Sequence, residues 1–144
     1  MKLDISKIHW RWVVLGGIAA PVLAFIFLCL AVTLYTVGVA IRTGQFDSTL
    51  ISKFVLQVGP SATPIIVMFA TVWSAMRVSR KAQSERTLHG ILVGFIAAAP
   101  ALVIGIALAG TVDLTVLGLA VLTIAAGFIG GQMGSQEQQR NRQG

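Results

Sequence analysis

Apolar residues run almost without interruption over Trp12–Ile41, Phe54–Met76, Leu88–Gly110 and Leu114–Met133, with short polar stretches between them. The first run is thirty residues long. As one helix it would measure about 45 Å against a hydrocarbon core of about 30 Å, so it has to tilt, bend at Pro21 or protrude. Gly38-Val39-Ala40 offers a signal-cleavage site, but the apolar part far exceeds the roughly 7–15 residues such signals use. The run is read as a retained span. The second run is interrupted by Gly59-Pro60 and by Pro64. Each proline removes one backbone hydrogen bond and crowds the carbonyl four residues earlier, Leu56 and Pro60 respectively. Ser61 and Thr63 are placed to satisfy what is freed. Only Thr111, Val112 and Asp113 separate the last two runs. So short a link forces an antiparallel helical hairpin, with Asp113 capping the fourth helix. The pattern predicts an all-α integral membrane four-helix bundle of two antiparallel hairpins. Its spans lie at 12–41, 54–76, 88–110 and 114–133, within one membrane domain covering 1–144. Arg42 to Lys53 forms a polar connection, and 134–144 a polar tail without regular structure.

The polar stretches orient these spans. RVSRKAQSER, from Arg77 to Arg86, holds four of the eleven basic residues. Charge this dense does not sit in hydrocarbon, so the stretch is read as a loop in water. Lys2, Lys7, Arg11, Arg77, Arg80, Lys81, Arg86, Arg140 and Arg142 fall on one side, against Arg42 and Lys53 on the other. Positive charge accumulates on cytoplasmic loops. Both termini and the central loop are therefore expected in the cytoplasm, with Asp47 and Asp113 outside. Trp10, Trp12 and Trp73 stand beside basic residues, as membrane-interface anchors do.

Composition supports the membrane assignment. Of 144 residues, 56% are hydrophobic and 11% charged, where soluble domains carry about 25% charge. A net charge of +6 in a soluble protein would point to nucleic acid. Here the basic residues flank apolar runs, so the expected partner is a bilayer with anionic headgroups and no nucleic acid. The single cysteine, Cys29, excludes an internal disulfide and is expected to pack as a small hydrophobe.

Lipid removes most of the hydrophobic drive between helices, leaving close approach through small residues. Gly90, Gly94 and Ala98 lie on one face of the third span, and the stripe resumes as Ala101, Gly105 and Ala109. The fourth span carries Gly127 with Gly131 and Gly130 with Gly134. The tightest helix contact is expected between Gly90–Gly94 and Gly127–Gly134. A further stripe, Gly16, Ala20 and Ala24, lies on the first span. LGGIAAP (15–21) and VGFIAAAP (93–100) echo each other as in a two-span repeat, a match that apolar alphabets also produce by coincidence.

At LHGILVG (88–94) and GFIGGQMG (127–134) the chain resembles a family of small, uncharacterised bacterial four-span membrane proteins. The resemblance covers mainly the second half. It implies four helices in a bacterial cell membrane and carries no reaction with it.

Three groups of residues are candidates for more than packing. His89 and His9 stand on the same side and could form a bis-histidine haem or chlorophyll ligand. The commoner role is headgroup contact, and no cofactor is expected. Gly59, Pro60, Ser61, Thr63 and Pro64 could expose backbone groups to a transported solute, whereas prolines more often only kink packed helices. No Asp, Glu, Lys or Arg lies within a span to couple ions. Arg77, Arg80, Lys81 and Arg86 set orientation and are candidates to contact anionic lipid or an acidic partner. There is no HExxH, acid pair, Ser/His/Asp set or nucleotide loop, so no enzyme is expected. The reading is a non-catalytic accessory or scaffold subunit of a larger membrane assembly or a homo-oligomer. Leftover small-residue stripes on the first and third spans would receive another helix. The alternative is a small transporter or channel working through the second helix.

Overall fold

Backbone amides in an apolar chain must be satisfied within the chain, and the helix does this residue by residue. In the computed structural model the described residues, 9–46, 48–82, 85–109 and 114–143, are all-helical, with no strand among them. Side-chain surroundings of residues 104, 105, 108, 109 and 137–143 lie outside the description. So do Lys2, Lys7, Asp47 and the Asp113 cap. The elements are α1 (Trp10–Thr43), α2 (Ser48–Lys81), α3 (Arg86–Ala109) and α4 (Leu114–Gln143). All four are long and apolar enough to cross a membrane.

The helices exceed their expected bounds in three places. First, the polar connection expected over 42–53 shrinks, because α2 already begins at Ser48. Gly44 ends α1 with φ 71°, a left-handed value that glycine adopts without a Cβ penalty. Its N–H donates to the Ala40 carbonyl at 2.9 Å. Second, the basic stretch is not all loop. α2 runs to Lys81 and α3 opens at Arg86, which leaves cations at a helix carboxyl end, where the backbone dipole favours them. Third, α4 continues to Gln143. The tail expected to lack structure is helical because Gln, Glu and Arg are good helix formers and no Gly or Pro intervenes between Ser135 and Gln143.

α2 also passes through Pro60 and Pro64 as one helix. Ser61 Oγ donates to the Val58 carbonyl at 3.1 Å, not to the Leu56 carbonyl that Pro60 leaves without a donor. The interrupted second helix expected from the prolines is therefore not present.

α1 packs on α2 and α3, α4 packs on α2 and α3, and α2 also touches α3, while α1 and α4 do not meet. Among the described residues burial is concentrated in the first half of α1, the last part of α2, the first half of α3 and the middle of α4. In α1 it covers Val13, Gly16, Gly17, Ala20 and Ala24; in α2, residues from Ala70 to Ser79. His89, Val93, Ala97 and Ala98 are buried in α3, and Ala120, Thr123 and Ala126 in α4. The core is Val13, Ala75, Val78 and Val93, flanked by Leu92 and Ile96. Gly16 lies against Val78 and Val93, and Gly17 against Ile96, so the two echoing segments pack on each other. The small stripe expected to be left over on the first span is consumed inside the bundle.

Candidate functional site

The α2–α3 link brings Arg77, Arg80, Lys81 and Arg86 to the end of the bundle that holds the buried His89. α2 and α3 are joined through Glu85, whose φ of 52° is the one left-handed value at a non-glycine among the described residues. That conformation aims the Glu85 carbonyl along the start of α3. It accepts from the His89 backbone N–H at 3.2 Å and lies 3.0 Å from His89 Nδ1. On the other side of the ring, the His9 backbone N–H donates to His89 Nε2 at 3.2 Å. An acceptor at Nε2 and a carbonyl at Nδ1 assign the neutral tautomer with its proton on Nδ1.

His89 is 0% exposed, so the expected headgroup contact is corrected: the ring lies inside the bundle. A buried polar group is tolerated when all its donors and acceptors are satisfied, and here both nitrogens are. The His9 and His89 ring centroids are 6.4 Å apart and tilted by 39°. His89 has no lone pair left for an iron or magnesium ion unless it releases the start of α1. No group of three metal-ligating side chains occurs among the described residues.

Further ties surround this node. Ser79 Oγ donates to the Arg86 carbonyl at 3.0 Å, and Arg86 Nε donates to the Ala82 carbonyl at 2.9 Å. Arg86 thereby ties the α2–α3 link through its carbonyl and its Nε. Lys81 Nζ lies 3.6 Å from the Trp12 ring centre, and the Arg77 guanidinium 5.2 Å from that of Trp73. Both cations rest on aromatic faces at the protein surface, an arrangement favoured by the ring quadrupole. Arg80 is exposed, with Nη2 3.6 Å from Met76 Sδ.

The glycines fall into two sets. A Cβ on Gly90 would come within 2.5 Å of the Gly127 carbonyl oxygen and the Gly131 Cα, and one on Gly94 within 3.0 Å of the Ile124 Cα. Gly127 and Gly131 thus face α3. Gly130 and Gly134 face α2 instead: a Cβ on Gly134 would lie 2.8 Å from the Met76 carbonyl oxygen, and Gly130 abuts Val72 and Ala75. Two turns of α4 therefore serve two neighbours. Sequence spacing divides these glycines into the same two pairs but does not say which neighbouring helix each pair faces. Ala98 is buried, and the surroundings of Gly105 lie outside the description.

The Gly59–Pro64 segment sits in the open half of α2. Gly59 has nothing within 4 Å of where a Cβ would stand, and Pro60 and Ser61 are exposed. Beside it, between α1 and α2, runs a groove of about 810 Å³ floored by Ala31 and Ala70 and ending at Trp73 and Arg77. Compared with protein-family models, curated proteins and solved structures, the chain has no match to any of them.

Proposed function

We propose that the chain is a four-span membrane protein of two antiparallel hairpins, with its termini and the α2–α3 link on the cytoplasmic face of a bacterial inner membrane. It acts as a non-catalytic accessory or scaffold subunit that joins a larger assembly, or copies of itself, through the half of α1 and α2 remote from His89. The order of contacts supports the hairpins. Gly90 lies by Gly131 and Gly94 by Ile124; Lys81 lies over Trp12, whereas Phe54 stacks on Tyr35 with ring centres 3.9 Å apart. The nine-to-two division of basic residues supports the orientation. The motif resemblance at 88–94 and 127–134 supports the bacterial membrane.

The observation that carries the subunit reading is the bareness of one end. α1 has 34 residues and α3 24, which at 1.5 Å per residue makes α1 about 15 Å longer than α3. Leu34, Val37, Ile41 and Leu56 are exposed there, and Gly38 and Gly59 face open space. Small residues facing outward in apolar surroundings are what a partner helix needs for close approach. Transport drew its support from an interrupted α2, and α2 is continuous.

Extraction in a mild detergent followed by native mass measurement is expected to give a mass well above one chain, as oligomer or complex. A lone monomer, reproduced in lipid nanodiscs, overturns the subunit reading. A cytoplasm-dependent reporter fused at Val112 is expected to stay silent; activity there overturns the orientation.

A further inference from the structure

We infer that the α1–α2 seam at the basic end binds one anionic phospholipid of the adjoining leaflet, its acyl chain in the apolar groove and its phosphate at Arg77. Two hollows meet at Arg77. One is the apolar groove, walled by Leu23, Phe27, Leu34, Ile65 and Phe69. The other, about 400 Å³, brings Trp12, Ser74, Arg80 and Lys81 together beside the same arginine. Along α1 the lining residues follow one another at three- and four-residue spacing from Trp12 through Ala19 and Leu23 to Leu34, so the two hollows form a single seam.

Its polarity is that of a phospholipid. From Arg77 to Ile65 is twelve residues, about 18 Å of helix, close to the roughly 15 Å depth of one hydrocarbon leaflet. Cations are gathered at one end only. Arg77 is held over Trp73 and Lys81 over Trp12, each leaving N–H groups for phosphate oxygens. Arg86 lines neither hollow.

A second helix is a poorer occupant. Helices associate in lipid through small residues, and this groove is lined mostly by Leu, Phe and Ile, with Ala31 and Ala70 its only small residues. Flexible bulky walls suit a chain as thin as an acyl tail. The site rests on reading the helices as membrane spans, and does not depend on partner docking at the far end.

The test is native mass spectrometry of the full chain titrated with phosphatidylglycerol or phosphatidylcholine, using the wild type, Arg77→Gln, Ala31→Trp and Arg42→Gln. Ala31 is exposed at the groove, so a tryptophan there fills the seam without entering the core. The wild type and Arg42→Gln are expected to retain one phosphatidylglycerol about thirtyfold better than phosphatidylcholine, the effect of two basic side chains beside anionic lipid at about fivefold each. Arg77→Gln should lower that preference about fivefold, and Ala31→Trp should lose the retained lipid of either kind. Equal retention of both lipids by the wild type, an unchanged preference in Arg77→Gln, or unchanged lipid retention in Ala31→Trp overturns the site. Displacement of the lipid by millimolar inorganic phosphate would mark a free-anion site and overturns it too. All four proteins should remain in carbonate-washed membranes; release of the wild type would overturn the membrane reading itself and this site with it.

Discussion

The two halves of this molecule share a composition and differ in packing. Around His89, four helices meet, backbones approach through Gly90, Gly94, Gly127 and Gly131, and polar groups are paired across three elements. At the other end α1 and α2 have each other, with Tyr35 stacked on Phe54. Their outward faces there meet no other helix. Both halves are rich in Leu, Ile, Val and Phe, so hydrophobicity does not explain the difference. In apolar surroundings bulky side chains are as content with lipid as with one another. Small residues and satisfied polar groups decide where helices close up.

The comparison can be broken first at the glycine crossing. Gly90→Leu puts a side chain where the Gly127 carbonyl and the Gly131 Cα stand. It is expected to cost about 3 kcal/mol or more, the upper range for overpacking, read as a lowered melting temperature in detergent. An unchanged melt would remove the crossing from the account.

Next comes His89→Ala. It strands the His9 N–H, removes one partner of the Glu85 carbonyl and leaves a cavity at a fully buried site. The expected loss is about 2–4 kcal/mol, measured by denaturant titration in micelles, with hydrogen exchange rising at the start of α1. A loss below about 0.5 kcal/mol would mean that the node does not hold α1.

Glu85→Gly should act in the opposite direction. The left-handed backbone at Glu85 costs a non-glycine residue about 1 kcal/mol, so the glycine variant is expected to melt higher. If it melts lower, the side chain contributes more than the strain costs. The smallest effect is expected at the far end. Gly38→Leu meets nothing within 4 Å and should leave the stability of the isolated chain within about 0.5 kcal/mol of wild type. The same variant should reduce the native mass of the proposed assembly, which separates packing within the chain from docking outside it.

Much of the fold was legible in the residues, and the misreadings have definite causes. Four charge-poor runs announced four helices, because ionised groups and hydrocarbon exclude each other. The ends of α2 and α4 were misplaced because polarity was taken to end a helix. Arg77–Lys81 and Gln136–Gln143 show that good helix formers continue past an apolar run when no Gly or Pro stops them. The prolines misled in the other direction: a loss of hydrogen bonds at Pro60 and Pro64 was read as an interruption, yet the helix continues through both. His89 gave no signal of burial, since its acceptor and donor partners come from His9, eighty residues away, and from a backbone carbonyl. The α1–α2 groove was equally invisible, being formed by side chains more than thirty residues apart.

By itself the sequence determined the number of helices and which ends of them carry the cations, because both depend on the local cost of placing charge beside hydrocarbon. Tertiary structure alone decided which glycine faces which neighbour, that His89 is buried and paired, and that Arg77 closes a groove. Those properties depend on helix rotation and on partners distant along the chain, and in an apolar alphabet many rotations bury equally oily faces. Only backbone approach and the pairing of a few polar atoms select among them.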